Sequence, residues 1–357
     1  MTPLLKQSAP AKLLGGYWHN FENDAGVIPL ADVPDAYDIV NIAFAVPAPG
    51  STSNIRLTLV EPIGEIDFAN GIRILQKRGK KVLLSIGGAD ATVQLKNLED
   101  TALFVTSVAG LVEKYGFDGI DIDFENQSLY LTESDSNLFQ PVSEVVINLI
   151  TALRSLHSRF GPDLAVSLAP ETLYVQQGFT RYGHHDPHDP LADCRSGCAL
   201  PVIAALRDIL SWLCVQQYNS GPMKALDGNI YACGHREFHV AMTDMLLRGF
   251  PVASSAARSF FEPLEPERVL IGVPACREAG AGFLDAEAMQ DVLDYIATGR
   301  GFGGAYRLQN PIGYPSLGGV MVWSINWDVH SGCLMSNRIR KCLDSAGATR
   351  ESLPILS

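Results

Sequence analysis

Four acids fall within eight residues at Asp118-Gly119-Ile120-Asp121-Ile122-Asp123-Phe124-Glu125. The apolar residues among them alternate as on a buried strand, where successive side chains point to opposite faces. Asp121, Asp123 and Glu125 therefore share one face, and Ile120, Ile122 and Phe124 take the other. At about 3.3 Å per residue, neighbouring acids have Cα atoms about 6–7 Å apart. Carboxyl groups that close inside a fold cannot all ionise, because desolvation and like charge both raise their pKa. Such a face suits general acid catalysis, which needs a carboxyl that keeps its proton near neutral pH. Asp118 has the opposite parity and reads as scaffold, a turn or capping residue.

The elements that must hold these acids alternate along the chain. Apolar, strand-like runs occupy 13–19, 39–45, 81–88, the acidic stretch 115–126, 164–169, 212–217, 269–273 and 319–325. Helical periodicity predicts helices over 66–78, 103–115, 143–157, 201–210, 240–247, 284–298 and 330–343. This alternation predicts an α/β fold, a (β/α)8 TIM barrel, in which active sites sit at the C-terminal ends of strands. Glu125 then lies at the end of the fourth strand. A doubly wound sheet would carry a Gly-rich phosphate turn after its first strand, whereas Gly15-Gly16 lies within it. We expect an N-terminal extension over 1–12, one barrel over 13–346 and a C-terminal tail over 347–357. The interval between 273 and 319 is too short for a large inserted α+β domain.

The totals narrow the partners. With 357 residues and 47% hydrophobic content, the chain can bury a sizeable core. A net charge of −12 argues against nucleic acid and anionic membrane surfaces. No run approaches the length of a membrane span, and the first 14 residues have no apolar signal core. The seven cysteines are odd in number and do not resemble a disulfide framework, although Cys194 and Cys198 share a loop and could pair. Cys214 and Cys276 sit in apolar runs as core thiols. The run His184-His185-Asp186-Pro187-His188-Asp189 has zinc-ligand types, but its spacing matches no closed site. We read it as a loop bordering a substrate groove, with no metal.

The acidic stretch fits the Asp-Gly-x-Asp-x-Asp-x-Glu pattern of family-18 glycoside hydrolases, and the chain resembles that family elsewhere too. Ser85-Ile86-Gly87-Gly88 matches its Ser-x-Gly-Gly, and Ala169-Pro170-Glu171 its Ala-Pro-Glu. Gln216-Gln217-Tyr218-Asn219 is similar to the Gln-Tyr-Tyr-Asn of bacterial chitinases of the D type, with Gln217 replacing a tyrosine. Trp323 matches the tryptophan floor, and Tyr17-Trp18-His19-Asn20 the Gly-Tyr-Trp-x-Asn of strand one.

The resemblance implies a retaining, substrate-assisted chitinase that cuts β-1,4-N-acetylglucosamine linkages, in an endo mode. Glu125 would be acid and then base; Asp123 would hold the acetamide; Asp121 would share a proton with Asp123; Tyr218 would donate to the acetamido carbonyl. Trp323, Gln216, Asn219, Tyr17, Ala169 and Glu171 would bind substrate, while Ser85, Gly87 and Gly88 would support the site together with Asp118. No cofactor is called for, and the partner is chitin or chitooligosaccharide. A monomer is expected, secreted by family resemblance. The alternatives are an endo-β-N-acetylglucosaminidase acting on N-glycans and a non-catalytic chitin-binding relative.

Overall fold

A computed structural model describes residues 12–61, 63–186, 188–254 and 259–348. Pro187 and most of the expected extension and tail lie outside these residues. Eight parallel strands form the inner wall: β1 (Leu13–His19), β2 (Ile39–Pro47), β3 (Lys81–Gly87), β4 (Gly119–Asp123), β5 (Ala165–Leu168), β6 (Trp212–Leu213), β7 (Leu270–Pro274) and β8 (Gly319–Trp323). Each pairs with the next in chain order, and β8 pairs with β1. The seam between β6 and β7 consists of single parallel bridges, Leu213 to Val269 and Gln216 to Gly272. A side chain at Gly272 would meet the Val215 carbonyl at 2.5 Å, so glycine permits this close approach.

Helices α1 (Glu65–Lys77), α2 (Leu98–Tyr115), α3 (Glu144–Phe160), α4 (Leu200–Ala205), α5 (Arg236–Arg248), α6 (Ala286–Thr298), α7 (Ile325–His330) and α8 (Leu334–Ala348) follow the strands. Between β7 and β8 the one α-helix is α6, and no inserted α+β domain appears among the described residues. Several boundaries differ from expectation: α4 ends at Ala205 and β6 at Leu213, short of the expected 210 and 217, and α5 begins earlier, at Arg236. α2 starts at Leu98 because Asn97 caps it, accepting from the Asp100 N–H. The last helix is two: Asp328 Oδ1 accepts from the backbone N–H groups of Met335 and Ser336, so the chain turns and α8 begins anew. β4 ends at Asp123, leaving Glu125 two residues beyond it.

Period-2 alternation sorts the side chains. Outward-facing Ile120 and Ile122 join a large apolar layer between strands and helices. Inward-facing Ile39, Leu83, Leu270 and Met321 fill the barrel in a second cluster, on which the acids rest.

Asp118, read as scaffold, lies just before β4. Its Oδ2 accepts from the Val82 N–H at 2.9 Å and Gln76 Nε2 at 3.0 Å, tying β4 to β3 and α1. Asp118→Ala leaves a buried backbone N–H unpaired. It should lower unfolding free energy by about 1–3 kcal/mol, measured by denaturant titration, while kcat per folded molecule is unchanged.

Candidate active site

The acidic face of β4 opens at the C-terminal mouth of the barrel, and its three carboxyls are held in different ways. Asp121 is fully buried. Its Oδ2 accepts from the Tyr17 hydroxyl and the Ser85 hydroxyl, both at 2.8 Å. Ser85 is the register partner of Asp121 on β3, which explains the serine in that motif. Burial pushes the Asp121 carboxyl up, and the hydroxyl donors partly offset it. No hydrogen bond joins Asp121 to Asp123 in this structure. The expected shared proton would need a rearrangement, since Asp123 faces Gln216 instead.

Gln216 Nε2 donates to Asp123 Oδ1 at 2.7 Å, to Glu125 Oε1 at 3.2 Å and to the Ala169 carbonyl at 3.0 Å. The Gln216 backbone is bridged to Glu171 on one side and Gly272 on the other, so the amide is placed by both neighbouring strands. Asp123 is raised well above the ordinary carboxylate range, first by burial and then by the charges of Glu125 and Asp121. Glu125 is raised to about 7, chiefly by burial, with Glu171 and Asp90 adding to it and Gln216 opposing it. A carboxyl held there is still protonated in a large share of molecules near neutral pH, as a general acid must be.

The glycines beside the acids are sterically required. Gly87 has φ +119°, and a Cβ there would lie 2.1 Å from the Asp123 carbonyl. Gly88 has φ +84°, and its Cβ would press on the Phe44 ring at 2.6 Å, while its N–H donates to that same Asp123 carbonyl at 2.8 Å.

A groove of about 810 Å³ runs over the acids, and Asp123, Glu125, Glu171, Gln216, Tyr218, Asn219 and Trp323 all line it. Trp323 is half-buried at its floor, its ring 5.7 Å from that of Phe44 and inclined by 17°. The Ala43–Phe44 and Trp323–Ser324 peptide bonds are both cis. Asn219 is partly committed to the fold, its Oδ1 accepting from the Ala281 N–H at 2.7 Å.

Tyr17 and Ala169, expected against substrate, are each 1% exposed and do not line the groove. Tyr17 holds Asp121, and Ala169 contributes its carbonyl to Gln216. Gln217 has the opposite parity to Gln216 and is buried against α5, donating to Thr243 and pairing with His239 Nδ1. The described residues of the His184–Asp189 segment do not line the groove either; His184 pairs with Asp189 at 2.8 Å. All seven cysteines are free thiols, so Cys194 and Cys198 form no disulfide here. Phe21, Phe44, Asp90 and residues 46–51 line the groove without having been singled out from sequence. Phe44 lies in the C-terminal half of β2 and Asp90 three residues past β3, and position in a barrel was the available signal.

The model of the family described as glycosyl hydrolases family 18 matches residues 14–277. The chain belongs to that family. It is 41% identical over 94% of its length to Chitinase D of Niallia circulans, and 42% identical over 88% of its length to a probable class II chitinase of Arthroderma benhamiae. Those matches cover 62% and 95% of the two relatives, so the chain spans about three fifths of the bacterial one. A solved family-18 chitinase from Chromobacterium violaceum superposes with a TM-score of 0.83 at 36% identity, covering 93% of this chain and 83% of that one. The family-18 fold thus accounts for the barrel and the motif order together.

Removing the Tyr17 hydroxyl should expose its role beneath this family-18 site. Tyr17→Phe leaves Asp121 with one fewer donor. kcat should fall about tenfold with KM changed less than twofold, in steady-state assays of folded enzyme.

Proposed function

We propose that the protein is a chitinase, a retaining hydrolase of β-1,4-N-acetylglucosamine linkages that uses the substrate's own acetamido group. The observation that carries this reading is the Asp123–Gln216–Glu125 bridge at the groove floor beside Trp323. It supplies one poised acid and a second carboxyl, held by the same amide, two residues back along the chain. The sugar to be cleaved stacks its apolar face on Trp323. Glu125 gives its proton to the glycosidic oxygen as the C–O bond breaks, and the acetamido carbonyl oxygen bonds to the anomeric carbon from the opposite side. Asp123 orients the acetamido N–H and stabilises the oxazolinium cation electrostatically, while Tyr218 donates to the acetamido carbonyl. Water then attacks the anomeric carbon as its bond to the acetamido oxygen breaks and the acetamide is restored; water's proton passes to Glu125, and the second inversion restores the configuration.

Burial and neighbouring acids support Glu125 as this acid, and the chitinases of Niallia circulans and Arthroderma benhamiae support the substrate class. The groove wall has acids and no Lys, Arg or His among its described residues, which disfavours nucleic acid. No helix among the described residues is long and apolar enough to cross a membrane. Because an insoluble polymer cannot enter a cell, we infer action outside it.

The protonated form of Glu125 is the active one, so its raised pKa keeps activity at neutral pH. kcat/KM should fall about tenfold per pH unit above roughly 7, rather than above the ordinary glutamic acid range. Glu125→Gln should lower kcat roughly 100- to 10,000-fold. Wild-type turnover by that variant would refute the assignment.

The interval between β7 and β8 holds α6 and no walling domain, which supports an open groove and endo cleavage. Early products from a soluble hexasaccharide should include internal cuts. Disaccharides released from one end from the start would exclude the endo mode.

A further inference from the structure

Gln216 meets three acceptors with one amide nitrogen, and the choice of acceptors has a chemical consequence. Nε2 carries two hydrogens, so Asp123 Oδ1, Glu125 Oε1 and the Ala169 carbonyl share them. The Ala169 carbonyl and the bridges to Glu171 and Gly272 hold the amide in place whatever the protonation of the acids. An oxygen that receives an N–H presents its lone pair to that hydrogen and is disfavoured as the carrier of a proton. Glu125 Oε2 has no hydrogen-bond partner among the described residues, and Glu125 lines the groove.

We propose that Gln216 is a positioning residue that directs the catalytic proton to Oε2 of Glu125. This rests on the chitinase reading for its substrate, although the proton placement itself does not. Gln216 would then act through Glu125 rather than by gripping the sugar, which was its expected role. In the acid step the Oε2–H bond breaks, its proton goes to the glycosidic oxygen, and the electron pair of the C–O bond leaves with that oxygen. Oε1 stays an acceptor throughout, and the carboxylate left behind remains paired with the amide. When water attacks, its proton returns to Oε2, so one geometry serves both halves of the reaction.

The same placement gives a pH signature. The groups that influence Glu125 are Asp123 on β4, Asp90 after β3, Glu171 after β5, and Gln216 and Tyr218 after β6. Gln216 is the donor among them that stabilises the Glu125 carboxylate. Removing it must therefore raise the Glu125 pKa, whereas removing a sugar contact would leave that pKa alone.

The test uses Gln216→Met, which keeps length and loses the donor, and Gln216→Asn, which stays polar but is one methylene too short to span both acids. Two readouts are taken: the pH profile of kcat/KM on a chitooligosaccharide, and a carbon-13 NMR titration of the Glu125 carboxyl in free enzyme. For both variants we expect the Glu125 titration and the alkaline limb to move up by roughly 0.5–1 pH unit, with kcat about tenfold lower and KM changed less than twofold. The asparagine variant keeps the test open should the methionine variant fail to fold. A raised KM with unchanged kcat and an unmoved titration would overturn the proposal in favour of a substrate contact. A lowered melting temperature with an unmoved titration would overturn it in favour of a structural role. If wild-type enzyme cleaves no chitooligosaccharide, the chitinase reading fails, while the NMR titration still decides the role of Gln216.

Discussion

The constraint on which the site depends is the crowding of three carboxyls, two buried on one face of β4 and the third just past its end. Each would be costly in the barrel without a compensating donor or a retained proton. The structure resolves the three by depth. Asp121, fully enclosed, receives two hydroxyls from β1 and β3. Asp123, one step up, receives an amide from the chain after β6. Glu125, past the end of β4, reaches the groove and keeps its proton. Different donors at different depths are what turn three similar side chains into three separate tools.

The backbone around the acids obeys the same constraint. Donors can reach Asp121 and Asp123 because β3 and the chain after β6 come close to β4 and its neighbours. At Gly87 and Gly272 that closeness leaves no room for a Cβ. Glycine is therefore part of the electrostatic design as well as the steric one. Asp118, at the opposite end of β4, anchors the strand to β3 and α1 so that the acidic face keeps its register. A slip of one residue would turn the acids outward into the apolar layer.

Much of this was legible without coordinates. The parity of Asp118 against Asp121, Asp123 and Glu125 separates scaffold from site in the sequence itself, and all eight barrel strands lie where apolar runs predicted them. Helix ends were less legible because they depend on side chains such as Asn97 and Asp328, which act through geometry rather than pattern. Tyr17 was visible as a motif residue but not as a donor to Asp121. Its partner lies 104 residues away, and only barrel closure brings them together.

What the sequence determined by itself was the set of local relations: alternation within strands, the glycines beside the acids, and the order of motifs that marks family 18. Those relations depend on period and neighbour identity, which any stretch of chain carries with it. The tertiary structure decided which groups meet across strands. It put Gln216 between Asp123 and Glu125, turned Gln217 away into α5, withdrew Tyr17 and Ala169 from the groove, and brought Phe44 against Trp323. Such meetings are set by how the barrel closes and staggers, a property of all eight strands together that no single segment encodes.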